Sequence, residues 1–195
     1  MLQGERQRLA LQEIVEKVDT AVAIQFFQNT LQTVFHVYDM QSWFREGVEL
    51  FQRAAHRLLR TPSPEAAGIV EYKLLARQGW FLFHLGQRAE AQQLLQQSLD
   101  HLQANGSPAD TLFSRNYLAA VLHHSGQWDS AAKLAQESLH LATELENRYA
   151  QAIAGNILAQ IAYQQKQYDQ ALLYGRQSLA MVERNLSRLA IVGPQ

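Results

Sequence analysis

HLGQRAEAQQLLQQSL at residues 84–99, HSGQWDSAAKLAQESL at 124–139 and QQKQYDQALLYGRQSL at 164–179 align without a gap, 40 residues apart. Four columns are identical in all three: Gln87/Gln127/Gln167, Ala91/Ala131/Ala171, Ser98/Ser138/Ser178 and Leu99/Leu139/Leu179. A fixed period of this size is the signature of stacked supersecondary units, each unable to bury its apolar face alone. Gly86 and Gly126 follow an apolar helix end, where a left-handed cap costs least in glycine. Lys166 holds that place in the third copy, which predicts a strained or differently shaped cap. The alanines sit one turn into the next helix, where a small side chain lets two backbones approach. Leu94, Leu134 and the leucine column continue an apolar stripe at helical spacing. Another apolar-periodic stretch lies upstream of each turn: EYKLLARQGWFLF (71–83), FSRNYLAAVLH (113–123) and IAGNILAQIAY (153–163). The unit is therefore helix–turn–helix, and the expected fold is all-α.

A diverged earlier copy stands at 41–58, QSWFREGVELFQRAAHRL, with Phe44 in the place of Arg88, Trp128 and Tyr168, and Gly47 in the place of the alanine. Gly47 and Ala91 are 44 residues apart, and the extra length falls at Thr61-Pro62-Ser63-Pro64, a helix breaker. Asn105-Gly106-Ser107-Pro108 makes a second break. The pattern predicts helices over 3–17, 20–40, 44–60, 65–84, 88–104, 109–125, 128–145, 148–165 and 168–185, with the last ten residues frayed. They form one domain over 1–195, an α-solenoid of four repeats (28–60, 65–104, 109–145, 148–185) preceded by an N-terminal helix.

Composition narrows the function classes. With no cysteine, disulfides, thiolate zinc sites and a cysteine nucleophile are all excluded. A net charge of −1 gives no bulk attraction to nucleic acid or to an anionic membrane. Charges interrupt MLQGERQRLALQEIVEKV, unlike a signal peptide, and no apolar run reaches the ~18 residues of a membrane span. The expectation is a cytoplasmic protein with no membrane and no direct nucleic-acid contact. Among the seven histidines no pair has the i, i+4 spacing of a helical metal site, and HExxH is absent. There is no GxSxG elbow, and Glu13 and Glu16 share a helix face that is otherwise charged. No catalytic residue, metal or cofactor is expected.

The repeat resembles the tetratricopeptide family. Leu118-Ala119, Gly126-x-Trp128-x-x-Ala131 and Leu158-Ala159, Tyr168-x-x-Ala171 carry the likeness, and Gly79, Gly86 and Ala91 repeat it with Arg88 in the aromatic place. The resemblance covers residues 28–185 and implies a right-handed superhelix. The 40-residue period, longer than the family's usual ~34, is similar to the sensor arms of STAND-type bacterial signal-transduction ATPases, as is SWFREGVELFQRA. No GxxxxGK[ST] phosphate loop occurs in the sequence.

In that family, set positions of each repeat's first helix line a concave groove. The resemblance places there Lys73, Ala76, Trp80, Phe83 and His84; then Phe113, Asn116, Ala120, His123 and His124; then Ile153, Asn156, Gln160, Tyr163 and Gln164. Gln32, His36 and Asp39 would extend it. Aromatic, amide and imidazole groups can stack on a ligand and hydrogen-bond it with little net charge. Trp80 and Phe83 can equally serve as helix-packing core, and the asparagines as bridges between helices. The resemblance implies a protein- or peptide-binding module, a regulatory or sensor arm in bacterial signalling. The alternatives are a small-molecule sensor for a sugar or metabolite, and a scaffold that self-associates through an exposed end.

Overall fold

A computed structural model describes residues 19–58 and 65–191. The described residues form eight helices and no strand: α1 (Thr20–Met40), α2 (Phe44–Leu58), α3 (Glu65–His84), α4 (Arg88–Asn105), α5 (Pro108–His124), α6 (Trp128–Glu144), α7 (Arg148–Gln164) and α8 (Tyr168–Ile191). Consecutive helices from α1 to α4, and again from α5 to α8, pack against one another. The helix expected at 3–17 and the break at 61–64 lie outside the described residues. The last helix continues to Ile191, past the expected 185.

The turns share one hydrogen-bond pattern. After α3, Gly86 N–H donates to Phe83 O and Gln87 N–H to Leu82 O; after α5, Gly126 and Gln127 bond to His123 O and Leu122 O in the same way. Both glycines sit at positive φ, 82° and 78°. This is the Schellman cap, which satisfies carbonyls that the helix end would leave open. After α7 the same bonds form with Lys166 at φ 62°, donating to Tyr163 O, while Gln167 donates to Ala162 O. The lysine cap therefore keeps the glycine shape, and its cost is the left-handed conformation alone. A non-glycine residue pays roughly 1–2 kcal/mol there, partly offset by the extra freedom glycine has when unfolded. Lys166→Gly is expected to stabilise by about 0.5–1 kcal/mol; a lower melting temperature would show that the lysine side chain earns its place by contacts.

The residues fall into two compact units, Met1–Gly106 and Ser107–Gln195, divided inside the break read from Asn105-Gly106-Ser107-Pro108. There the Ser107 backbone N–H and hydroxyl both donate to the Asp110 carboxylate, at 3.0 and 2.8 Å, and Pro108 opens α5. Proline fits the first helical position because its missing N–H would have no partner there.

Unit 1 has an aromatic core. Phe81 of α3 stacks on Phe35 of α1 (centroids 5.4 Å) and on Phe51 of α2 (5.7 Å), all fully buried. Unit 2 is built from small and aliphatic side chains, including Leu112, Ala131, Ala135, Ala142, Ala150 and Ile157. The serine column is buried in every copy. Ser178 Oγ of α8 donates to Ala152 O of α7 at 3.1 Å, and a Cβ on Gly155 would collide with that hydroxyl. Gly79 likewise meets the Ala91 carbonyl, at 3.2 Å from where its Cβ would stand, so two members of the repeated alanine and serine columns lie at close helix approaches.

Candidate binding cleft

Unit 2 carries an open cleft of about 780 Å³. Its first wall is the C-terminal part of α5 and α7: His123, His124, Ala159, Gln160, Tyr163 and Gln164. The second is one face of α8: Tyr168, Ala171, Leu172, Gly175, Arg176 and Leu179. The turn at Lys166 holds the two walls together, and Tyr163 and Tyr168 flank it edge to face at 5.8 Å. Among the described residues, Arg176 is the only lysine, arginine or carboxylate in this lining. His123 is buried, its Nδ1 meets no hydrogen-bond partner among the described residues, and burial together with neighbouring His124 pushes it below the usual histidine range. The neutral ring suits the apolar surroundings, because a buried cation there would lack compensation. The cleft can therefore sequester an apolar surface, stack aromatic groups and offer amides at its rim, with little charge selection.

Of the residues expected in a groove, His123, His124, Gln160, Tyr163 and Gln164 meet here. Phe113 lies half-buried against Tyr117, with ring centroids 4.1 Å apart. Ile153 is half-buried, and Asn156 is exposed. Asn116 does not face the cleft. It is buried, and its amide donates to Ala150 O of α7 at 3.1 Å, bridging two helices. The two asparagines of one repeat column therefore occupy different environments: α7 covers the first, and no described helix stands in the equivalent place over the second.

In unit 1 the expected residues form a separate polar and aromatic cluster. Trp80 Nε1 donates to Asp39 Oδ1 at 2.9 Å, and its ring meets Phe83 at 5.3 Å and His84 at 4.5 Å. His84 stacks flat on Phe44 at 4.3 Å. Deeper along the same helices, Arg77 donates to Gln32 Oε1 and to Lys73 O, and Gln32 bonds His36 Nε2. Burial holds His36 below the usual histidine range, with Asp39 opposing and Arg77 assisting. Ala76 is fully buried and belongs to the core instead. Trp80 and Phe83 are half-buried.

The α8 wall was absent from the groove reading, which considered first helices only. A signal for it exists in the repeat itself. Where earlier copies have Gln92-Gln93 and Ala132-Lys133, the third has Leu172-Leu173, and both leucines are exposed. Among the described residues no cluster of three or more His, Asp or Glu could hold a metal ion, and no helix is long and apolar enough to cross a membrane.

These features define a helical-repeat scaffold. Residues 110–184, nearly all of α5 to α8, match the tetratricopeptide repeat family. The chain is also similar to the crystal structure of BtubC (BKLC) from P. vanneervenii, with a TM-score of 0.72 over 92% of this chain and 74% of that one, at 16% identity. That likeness is one of fold. No curated protein matches the sequence.

Proposed function

We propose that this chain is a non-catalytic module that binds a protein or peptide partner through the unit 2 cleft, and that it serves as a regulatory or sensor arm in bacterial signalling. Tetratricopeptide repeats generally mediate protein–protein contacts, and scaffolds of this kind are typically non-catalytic. The observation that carries the reading is the composition of the cleft: Tyr163, Tyr168, Leu172 and Leu179 all stand exposed around it, with one formal charge. Exposed apolar surface gathered in one patch marks an interaction site far more often than scattered residues do. The signalling role rests on the 40-residue period and on the SWFREGVELFQRA stretch described above.

A second reading has its own support. The volume falls within the roughly 300–1,000 Å³ of small-molecule pockets, and the buried, neutral His123 would give such a ligand one directional contact. A photo-cross-linking residue placed at Leu172 in cells of the native host separates the two. A discrete protein adduct is expected, absent when the probe sits at exposed Gln52 of α2. A small molecule retained in native mass spectrometry, with no protein adduct at Leu172, would replace the partner reading with the sensor one.

A further inference from the structure

The 40-residue period makes unit 2 its own control. Each position of the α5–α6 pair, which α7 covers, has a counterpart in the α7–α8 pair. Asn116 is 1% exposed, whereas Asn156 is exposed; His123 is 8% exposed and its counterpart Tyr163 63%. Ala142 is fully buried and Val182 is 44% exposed; half-buried Leu139 corresponds to Leu179 at 59%. Ala131 and Ala135 are fully buried, and their counterparts Ala171 and Gly175 only partly so. The cover that α7 provides is specific. Its Ala150 carbonyl accepts the Asn116 amide, its Gln151 amide donates to Ala142 O at 2.9 Å, and Ala150 packs with Leu112 and Ala142. The donor recurs one period later as Asn156, and apolar surface stands exposed at Leu172, Leu179 and Val182, without a described helix upon them.

We propose that the corner between α7 and α8 is a docking site for one amphipathic helix of a partner protein, seated as α7 sits on the preceding pair, with Asn156 donating its amide to a backbone carbonyl of that helix. This rests on the partner-binding reading above and names the form of the partner. The occupant follows from the joint that already exists. It is an α-helix of about four to five turns, the length of the 17-residue α7. It carries small residues where it crosses Ala171 and Gly175, larger apolar ones toward Leu172, Leu179 and Val182, and a carboxylate at the rim facing Arg176. A helix, unlike an extended strand, leaves few side-chain-facing backbone groups to satisfy, so a largely apolar corner with one amide suits it. A second copy of the same face is a poorer occupant. Two concave corners placed against each other would enclose a void, whereas one convex helix fills the space.

The test uses the full chain and a phage-displayed library of 17-residue peptides built on the α7 sequence, randomised on its buried face. Selected peptides should share an apolar i, i+3, i+4, i+7 stripe and gain helicity on binding, seen by circular dichroism. Asn156→Ala should weaken the best peptide roughly five-fold, and Leu172→Asp should abolish binding. Both positions are exposed, so the melting temperature of each variant should stay unchanged. Selection of extended or proline-rich peptides, or indifference to Asn156→Ala, would overturn the helix-docking inference, while a protein adduct at Leu172 would leave the partner-binding reading standing. A concentration-dependent dimer in sedimentation equilibrium, dissolved by Leu172→Asp, would assign the corner to a second copy and overturn it too. The absence of both peptide binding and any adduct would remove the partner-binding reading itself.

Discussion

Phe81→Ala is expected to destabilise unit 1 by roughly 3–5 kcal/mol, the range for truncating a fully buried phenylalanine. Its ring joins three helices. It stacks on Phe35 at 5.4 Å and on Phe51 at 5.7 Å, meets Phe44 at 5.9 Å, and fills the space a Cβ on Gly47 would enter. Removing it leaves a cavity bounded by rigid aromatic rings, which cannot collapse as aliphatic chains can. Urea unfolding measures the effect, and Phe81→Leu should recover much of it by restoring volume. A loss below ~1 kcal/mol for the alanine variant would mean that α1, α2 and α3 do not share this core.

Asn116→Ala should cost roughly 1–3 kcal/mol of stability, because the Ala150 carbonyl then loses a buried donor. Asn156→Ala, the same substitution one period later, should stay within about 0.5 kcal/mol, as exposed substitutions usually do. Thermal unfolding of the two variants side by side makes the comparison. Equal effects would show that the column is not divided between a covered and an open site. The repeat pattern left Asn116 open as a groove residue or as a bridge between helices, and the buried bond to α7 makes it a bridge.

The helix pairs were legible because each depends on short-range chemistry. The glycines mark left-handed caps, and the apolar stripes mark which face turns inward. Lys166 shows where such reasoning runs out. The substitution suggested a strained or differently shaped cap; Lys166 does take the strained left-handed conformation, but the hydrogen bonds of the turn, repeated at Ser42 (φ 56°) and Glu146 (φ 51°), hold the backbone in one shape whatever side chain it carries. The conformational preference of a single residue is worth about 1 kcal/mol, less than the bonds and packing that oppose it.

From the sequence by itself came the all-helical class, the 40-residue repeat, the break near Gly106, and the histidine, glutamine and tyrosine side of the cleft. The tertiary structure alone decided which copy of each repeated residue is covered. Asn116 and Asn156, His123 and Tyr163, or Ala142 and Val182 occupy equal places in the period, yet one member of each pair is buried and the other exposed. Periodicity assigns a residue its place on a helix, but burial depends on whether another helix packs over that place, and only the packed coordinates contain that.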